Sequence, residues 1–152
     1  MCKPIETGRG QALRVQPIRP PRSTDDLRVV ADWYDALARG DLDRVRAKLT
    51  ADFTMRQSSR LPWGGSYFGP DGFFECYGRR ISHLDTTLCI DHLFDAGDRI
   101  VQLGRLEGTV RGTGVPVSVR EIDTVELRDG AVVRYTALVD VPALLTALEI
   151  PV

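Results

Sequence analysis

Between Val115 and Leu127 the chain reads V-P-V-S-V-R-E-I-D-T-V-E-L, and this alternation constrains the fold more than any other stretch. Strand side chains point alternately to opposite faces, so Val115, Val117, Val119, Val125 and Leu127 share a side with Glu121 and Asp123. A carboxylate on an apolar face is costly unless it is paired, protonated or lining a cavity. Two arrangements satisfy the pattern. Either both acids enter a chemical pocket, or a bulge after Val119 flips the register and turns them to solvent.

The 152 residues suit one domain with a single core. No apolar run approaches a membrane span, and Met1-Cys2-Lys3-Pro4 carries no apolar leader. Cys2, Cys76 and Cys89 are odd in number and lack metal-ligand spacing, which fits free thiols in a reducing, cytoplasmic setting. With His83 and His92 the only imidazoles, a multi-histidine metal site is nearly excluded, and no metal or cofactor is expected. Residues 1–22 hold Lys3, Arg9, Arg14, Arg19 and Arg22 against Glu6 alone. That basic arm has no aromatic residue for stacking and precedes an acidic domain, so a flexible solvated tail is expected rather than a nucleic-acid contact.

Pro4, Pro17, Pro20 and Pro21 keep the arm out of regular structure and place the domain at 23–152. Ser23 or Thr24 caps a helix in which Leu27, Val30, Tyr34 and Leu37 recur at helical spacing. Asp41 starts a second helix with Leu42, Val45 and Leu49 on one face, and Phe53–Gln57 forms a short strand. A turn-rich loop, Leu61-Pro62-Trp63-Gly64-Gly65, precedes a third helix that starts at Gly69-Pro70-Asp71 with Phe73, Phe74, Tyr77 and Ile81 on its apolar face. Four strands follow, at 86–95, 99–111, 115–128 and 131–140, and a short helix over Pro142–Leu148 closes the chain. The class is α+β: a curved, cone-shaped antiparallel sheet wrapped around three N-terminal helices, a cystatin-like roll whose interior suits a small apolar ligand.

The segments W-Y-D-A-L-A-R-G-D-L-D (33–43), L-T-A-D-F-T-M (49–55), P-W-G-G-S-Y-F-G (62–69) and E-L-R-D-G-A-V-V-R (126–134) resemble the nuclear transport factor 2-like superfamily and, within it, SnoaL-like proteins. The resemblance covers roughly residues 24–148. It implies the cone fold and, among relatives, ketosteroid isomerases, polyketide cyclases, limonene-type epoxide hydrolases and noncatalytic binders. Asp123 falls where ketosteroid isomerases keep a protonated aspartic acid, Tyr77 where they have a supporting tyrosine, and Trp33 replaces their oxyanion-donating tyrosine. The general base expected near Gln57–Arg60 is missing, and Ala137 stands where cyclases and epoxide hydrolases place a last-strand aspartate. Arg105-Leu106-Glu107 resembles the epoxide hydrolases' arginine–aspartate pair with glutamate substituted.

Read from the strand faces, Arg105 and Glu107 share a face, as do Glu121 and Asp123 on the next strand, and facing side chains lie about 5 Å apart. Arg105 among three acids would leave one carboxyl protonated beside another that is ionised. The expected function is therefore cofactor-free acid–base chemistry. Asp123 or Glu121 serves a developing oxyanion, and Glu107, oriented by Arg105, accepts a proton. The alternative reading of Arg105 with Glu107 and Glu121 is a cross-strand ion pair on the outer, dimer-facing surface. Trp33, Tyr34, Tyr77, Trp63, Gln57 and Tyr135 are the expected substrate contacts, with Trp63 serving either as a gate or as a packed loop anchor. A homodimer through the opposite sheet face, which carries Ile122, Thr124, Thr136 and Leu138, is also expected. A limonene-type epoxide hydrolase or epoxide-opening cyclase, a noncatalytic small-molecule binder, and a dimerisation or interaction module using the open sheet face remain as alternatives.

Overall fold

The computed structural model describes residues 24–152; the basic arm and Ser23, one of the two expected caps, lie outside the described residues. Helix α1, Thr24–Ala38, places Asp25 and Asp26 in its first turn, where carboxylates favour the helix dipole. Val30, Trp33 and Tyr34 are buried along one stripe. Gly40, at φ 69°, ends the helix, with Gly40 N–H donating to Leu37 O and Asp41 N–H to Ala36 O. This is the paired closure of a Schellman motif, which needs a left-handed residue at that point. Asp41 then accepts from the Arg44 N–H and caps α2, Leu42–Ala47.

Leu49 departs from expectation: it opens strand β1, Leu49–Gln57, and does not extend the second helix. The Trp63-Gly64-Gly65 turn delivers a strand the sequence pattern does not announce, β2, Gly65–Phe68, paired antiparallel to β1. Four residues at a turn exit are too few for a period of two to register. Helix α3, Gly69–His83, starts with Pro70 in its first turn, where a missing N–H costs nothing.

The strands β3 (Leu84–Asp95), β4 (Ile100–Val110), β5 (Pro116–Arg128) and β6 (Ala131–Val139) form the expected meander, and α4, Val141–Ala147, follows. Asp129 and Gly130 both adopt positive φ, 52° and 74°, as a two-residue hairpin turn requires. The sheet order is β2-β1-β6-β5-β4-β3. It is not wholly antiparallel, because β1 pairs parallel to β6. That contact joins the first and last strands, and no local pattern encodes it.

Helices α1 and α3 cover one face of the curved sheet, α3 against β1, β2 and β3, and α1 against β3 and β4. Trp33 centres the core, with ring centroids 5.3 Å from Tyr34, 5.6 Å from Phe73 and 5.4 Å from Tyr135. Such aromatic pairs add about 0.5–1.5 kcal/mol each beyond area burial. Among the described residues, no helix is long and apolar enough to cross a membrane.

The β4–β5 register runs unbroken from Thr109↔Pro116 to Ile100↔Val125. No bulge follows Val119, so Val117, Val119, Glu121, Asp123 and Val125 all face inward and are buried. The same register corrects the expected cluster. Gln102 stands opposite Asp123 and Gly104 opposite Glu121, whereas Arg105 faces Arg120 and Glu107 faces Ser118. Arg105 and Glu107 therefore sit on the outer face, one residue out of phase with the acids.

Candidate active site at the inner end of the cone

Glu121 and Asp123 are both 0% exposed, and each is held by a partner from a helix. Arg80 of α3 approaches Glu121 with two parallel bonds, Nη1 to Oε1 at 3.2 Å and Nη2 to Oε2 at 2.8 Å. The bidentate fork suits a carboxylate withdrawn from water. Tyr34 of α1 lies with its hydroxyl 2.7 Å from Asp123 Oδ2, and Gln102 Nε2 donates to the same oxygen at 3.2 Å. Gln102 Nε2 also reaches the Glu121 carbonyl at 3.3 Å. A Cβ at position 104 would collide with Gln102 Oε1 and the Cys89 carbonyl, so Gly104 makes the space this amide occupies.

Burial, and then the negative charge of neighbouring Glu121, push the Asp123 carboxyl well above the ordinary carboxylate range, toward the protonated acid; the Tyr34 hydrogen bond opposes this. Burial likewise raises the Tyr34 and Tyr135 phenols and keeps both protonated. A neutral Asp123 can donate to the Tyr34 oxygen, which frees the phenolic O–H for a ligand. Burial pushes the Cys76 thiol up to about 11, leaving it a poor nucleophile.

These groups close a cavity of about 630 Å³ whose wall includes Trp33, Tyr34, Gln57, Tyr77, Tyr135, Arg80 and Glu121, with Leu88, Leu93 and Leu106 among its apolar residues. Five of the six expected contact residues thus line it. Trp63 does not: it is a buried loop anchor whose Nε1 donates to Gln57 Oε1 at 2.9 Å. Asp123 lies behind Tyr34 and outside the lining. Arg105 and Glu107 form an exposed pair at 3.2 Å on the outer face, with Arg105 also donating to Ser118 at 2.8 Å.

Sequence reasoning missed two members of the site. Arg80 follows Phe73, Cys76 and Tyr77 at seven, four and three residues, so it lies on the buried stripe of α3. A charge on that stripe was the available signal. Gln102 lies between Ile100 and Leu106 on the buried face of β4, in the same phase as both. Among the described residues, no group of three or more His, Cys, Asp or Glu is placed to hold a metal ion.

Two stability measurements check this electrostatic arrangement. Replacing Arg80→Met strands Glu121 without its partner and is expected to cost about 3–5 kcal/mol. The double variant with Glu121→Leu should recover most of that loss in urea unfolding; a double variant as unstable as the single would refute the pairing. For Asp123, the raised native pKa means the folded state holds a proton that the unfolded state has released. Stability due to this group is thus fully present below the unfolded pKa of about 3.9 and lost as pH rises through the native value. Asp123→Asn should remove that decline, so its stability relative to wild type should climb between pH 4.5 and 8. A constant difference across that range would place an ordinary carboxyl at 123.

The fold has close counterparts. An NTF2-like protein of unknown function from Burkholderia pseudomallei K96243 superimposes with a TM-score of 0.76 at 22% identity, covering 83% of this chain and 98% of that one. An NTF2-like protein from Burkholderia thailandensis E264 gives 0.75 at 27% identity, with 81% and 96% covered. TerC, co-crystallised with polyporic acid, gives 0.74 at 19% identity, with 83% and 99% covered. No curated protein matches the chain. The model of the SnoaL-like domain matches residues 30–135, the span from the buried stripe of α1 to the tyrosine of β6, and the chain belongs to the SnoaL-like domain family.

Proposed function

We propose that this chain is a cofactor-free acid–base enzyme of the cyclase or isomerase type, acting on a small, largely apolar natural-product, polyketide- or steroid-like molecule. The observation that carries this reading is the pair Glu121 and Asp123, both fully buried, Glu121 in the wall of a cavity of about 630 Å³ and Asp123 behind the Tyr34 that lines it. A binder needs only shape and a few polar contacts, whereas two buried carboxyls kept in different environments divide into an acid and a base. That TerC was co-crystallised with polyporic acid supports a small molecule in the cone.

In this mechanism Glu121, which lines the cavity, accepts a proton from the carbon beside a substrate carbonyl. The electron pair moves onto the carbonyl oxygen, which receives the Tyr34 O–H. Asp123 donates to Tyr34 from behind and strengthens that bond, a positioning role. Arg80 holds the Glu121 carboxylate in place. Return of the proton to another carbon completes an isomerisation; attack of the enolate carbon on a second carbonyl, whose π electrons move onto its oxygen and take back the proton from Glu121, completes a ring closure. Glu107 has no part in this, and an epoxide-opening mechanism built on Arg105 and Glu107 loses its residues to the outer face.

Exchange of the α-protons of 2-tetralone in D2O, followed by proton NMR, tests the reading. Wild-type protein should accelerate exchange over buffer. Glu121→Gln should lower that rate by about 10²–10⁴-fold and Tyr34→Phe by about 10²-fold. Arg105→Ala and Glu107→Gln should exchange at the wild-type rate. Tight binding of the ketone without accelerated exchange would leave the noncatalytic binder as the surviving alternative.

We also infer that two copies pair through the outer sheet face. Adjacent strands place Leu103, Ile122 and Leu138 in one register row there, and Leu138 is 57% exposed. An aliphatic row of this kind on an open sheet favours association. Leu138→Asp should convert a dimer to a monomer in sedimentation equilibrium, and a wild-type chain that sediments as a monomer at all concentrations defeats the inference.

A further inference from the structure

A second concavity lies on the outer face of the sheet. Strands β1 and β6 run parallel and in register as far as Arg56↔Thr136. Past that point β1 ends and the chain turns away at Ser58 and Ser59, while β6 continues to Val139. A cleft of about 510 Å³ opens where the two part. The β1–β2 register sets Ser66 beside Arg56, so Ser66, Arg56 and Thr136 form one row across three strands. The turn that walls the cleft is fixed in place. Leu61 N–H donates to Ser58 O at 3.1 Å, and a Cβ at Gly64 would collide with that same carbonyl, so only glycine lets the loop close there.

The charge in this cleft is of one sign. Arg56 is the only ionisable residue in its lining, and among the described residues no carboxylate pairs with it. Asp140, which stands in the chain between the lining residues Val139 and Val141, gives its carboxylate to the Ala143 N–H at the start of α4. A concave site holding one sign of charge attracts the other, and the planar arginine fork donates to two oxygens at once. Ser59, Ser66 and Thr136 line the same cleft, and their hydroxyls have no partner among the described residues. A guanidinium and three hydroxyls outnumber the oxygens of a carboxylate. They match the three terminal oxygens and the charge of about −1.5 to −2 of a phosphate monoester. Leu138, Val139 and Val141 give the cleft an apolar side for the group that carries the phosphate.

We propose that this outer-face cleft is a second binding site, which takes a small organic phosphate. Arg56 anchors the phosphate, Ser59, Ser66 and Thr136 donate to its remaining oxygens, and the apolar body lies along Leu138, Val139 and Val141. The site is on the opposite face of the sheet from Glu121 and does not depend on the acid–base reading. Of the aliphatic row Leu103, Ile122 and Leu138, it shares only Leu138.

Titration with phenyl phosphate, followed by calorimetry and by the backbone 1H–15N spectrum, tests this. Wild-type protein should bind it, with signals moving at Ser59, Ser66 and Thr136 and staying in place at Tyr34 and Glu121. Inorganic phosphate, which lacks the apolar body, and benzoate, which lacks the third oxygen, should each bind about fivefold more weakly. Benzyl alcohol, which keeps the ring without the charge, should not bind. Arg56→Gln should lower the affinity for phenyl phosphate about tenfold, and Ser66→Ala about two- to threefold. Arg120 is exposed on the same face and lies outside the cleft, so Arg120→Gln should bind as wild type does. Four results would each overturn the proposal: no binding by wild type, benzoate or inorganic phosphate as tight as phenyl phosphate, signals moving only at cone residues, or equal losses in Arg56→Gln and Arg120→Gln. The last would mark general attraction to a basic surface. Arg56→Gln should still exchange 2-tetralone protons at the wild-type rate, so failure of this site and failure of the enzyme are read separately.

Discussion

The ion pair between Arg80 and Glu121 joins helix α3 to the middle of β5, and the rest of the site depends on it. Glu121 is fully buried and the Arg80 side chain is 17% exposed, so Glu121 has no bulk water as an alternative partner and Arg80 has little. A bidentate contact of this kind contributes little net stability over an apolar pair of the same volume, but losing half of it is expensive. Its effect is therefore to fix geometry. It ties α3 to β5 at the wall of the cavity that both residues line.

The same pair also decides what Asp123 becomes. With Glu121 carrying its charge two residues away on the same strand face, a second carboxylate there would be repelled and poorly solvated. Asp123 is pushed toward the neutral acid, and a neutral acid can donate to Tyr34 where an ionised one could only accept. Two chemically similar side chains on one strand thus acquire opposite character: Glu121 is paired with Arg80, whereas burial and then the charge of Glu121 push Asp123 toward the neutral acid. Trp33 completes this end: its ring packs against Tyr34, Phe73 and Tyr135 while its N–H goes unpaired.

Much of this was legible before any coordinates. Proline and glycine punctuation set the helix starts and hairpins, because those residues restrict or release φ locally. The meander strands fell within a residue or two of their observed limits, and alternation put Glu121 and Asp123 on one face, with the unbroken β4–β5 register removing the bulge that would have turned them to solvent. The error at Arg105 and Glu107 has an equally definite cause. Alternation gives the phase within a strand but not the register between strands. The pairing of Arg105 with Arg120 turned both residues to the surface. Arg80 was missed because α3 was read for its apolar residues, and a charge within their stripe was passed over.

The sequence by itself determined the α+β class, the order of the helices and meander strands, and the phase that puts Glu121 and Asp123 on one strand face, since each follows from local backbone preference and side-chain period. Only the tertiary structure decided who pairs with whom: β1 beside β6, Arg80 on Glu121, Tyr34 and Gln102 on Asp123, and Trp33 Nε1 left without an acceptor. Those outcomes depend on distances between residues 41 to 89 positions apart in the larger contacts, and such distances are set by how the helices seat on the curved sheet, which no local pattern records.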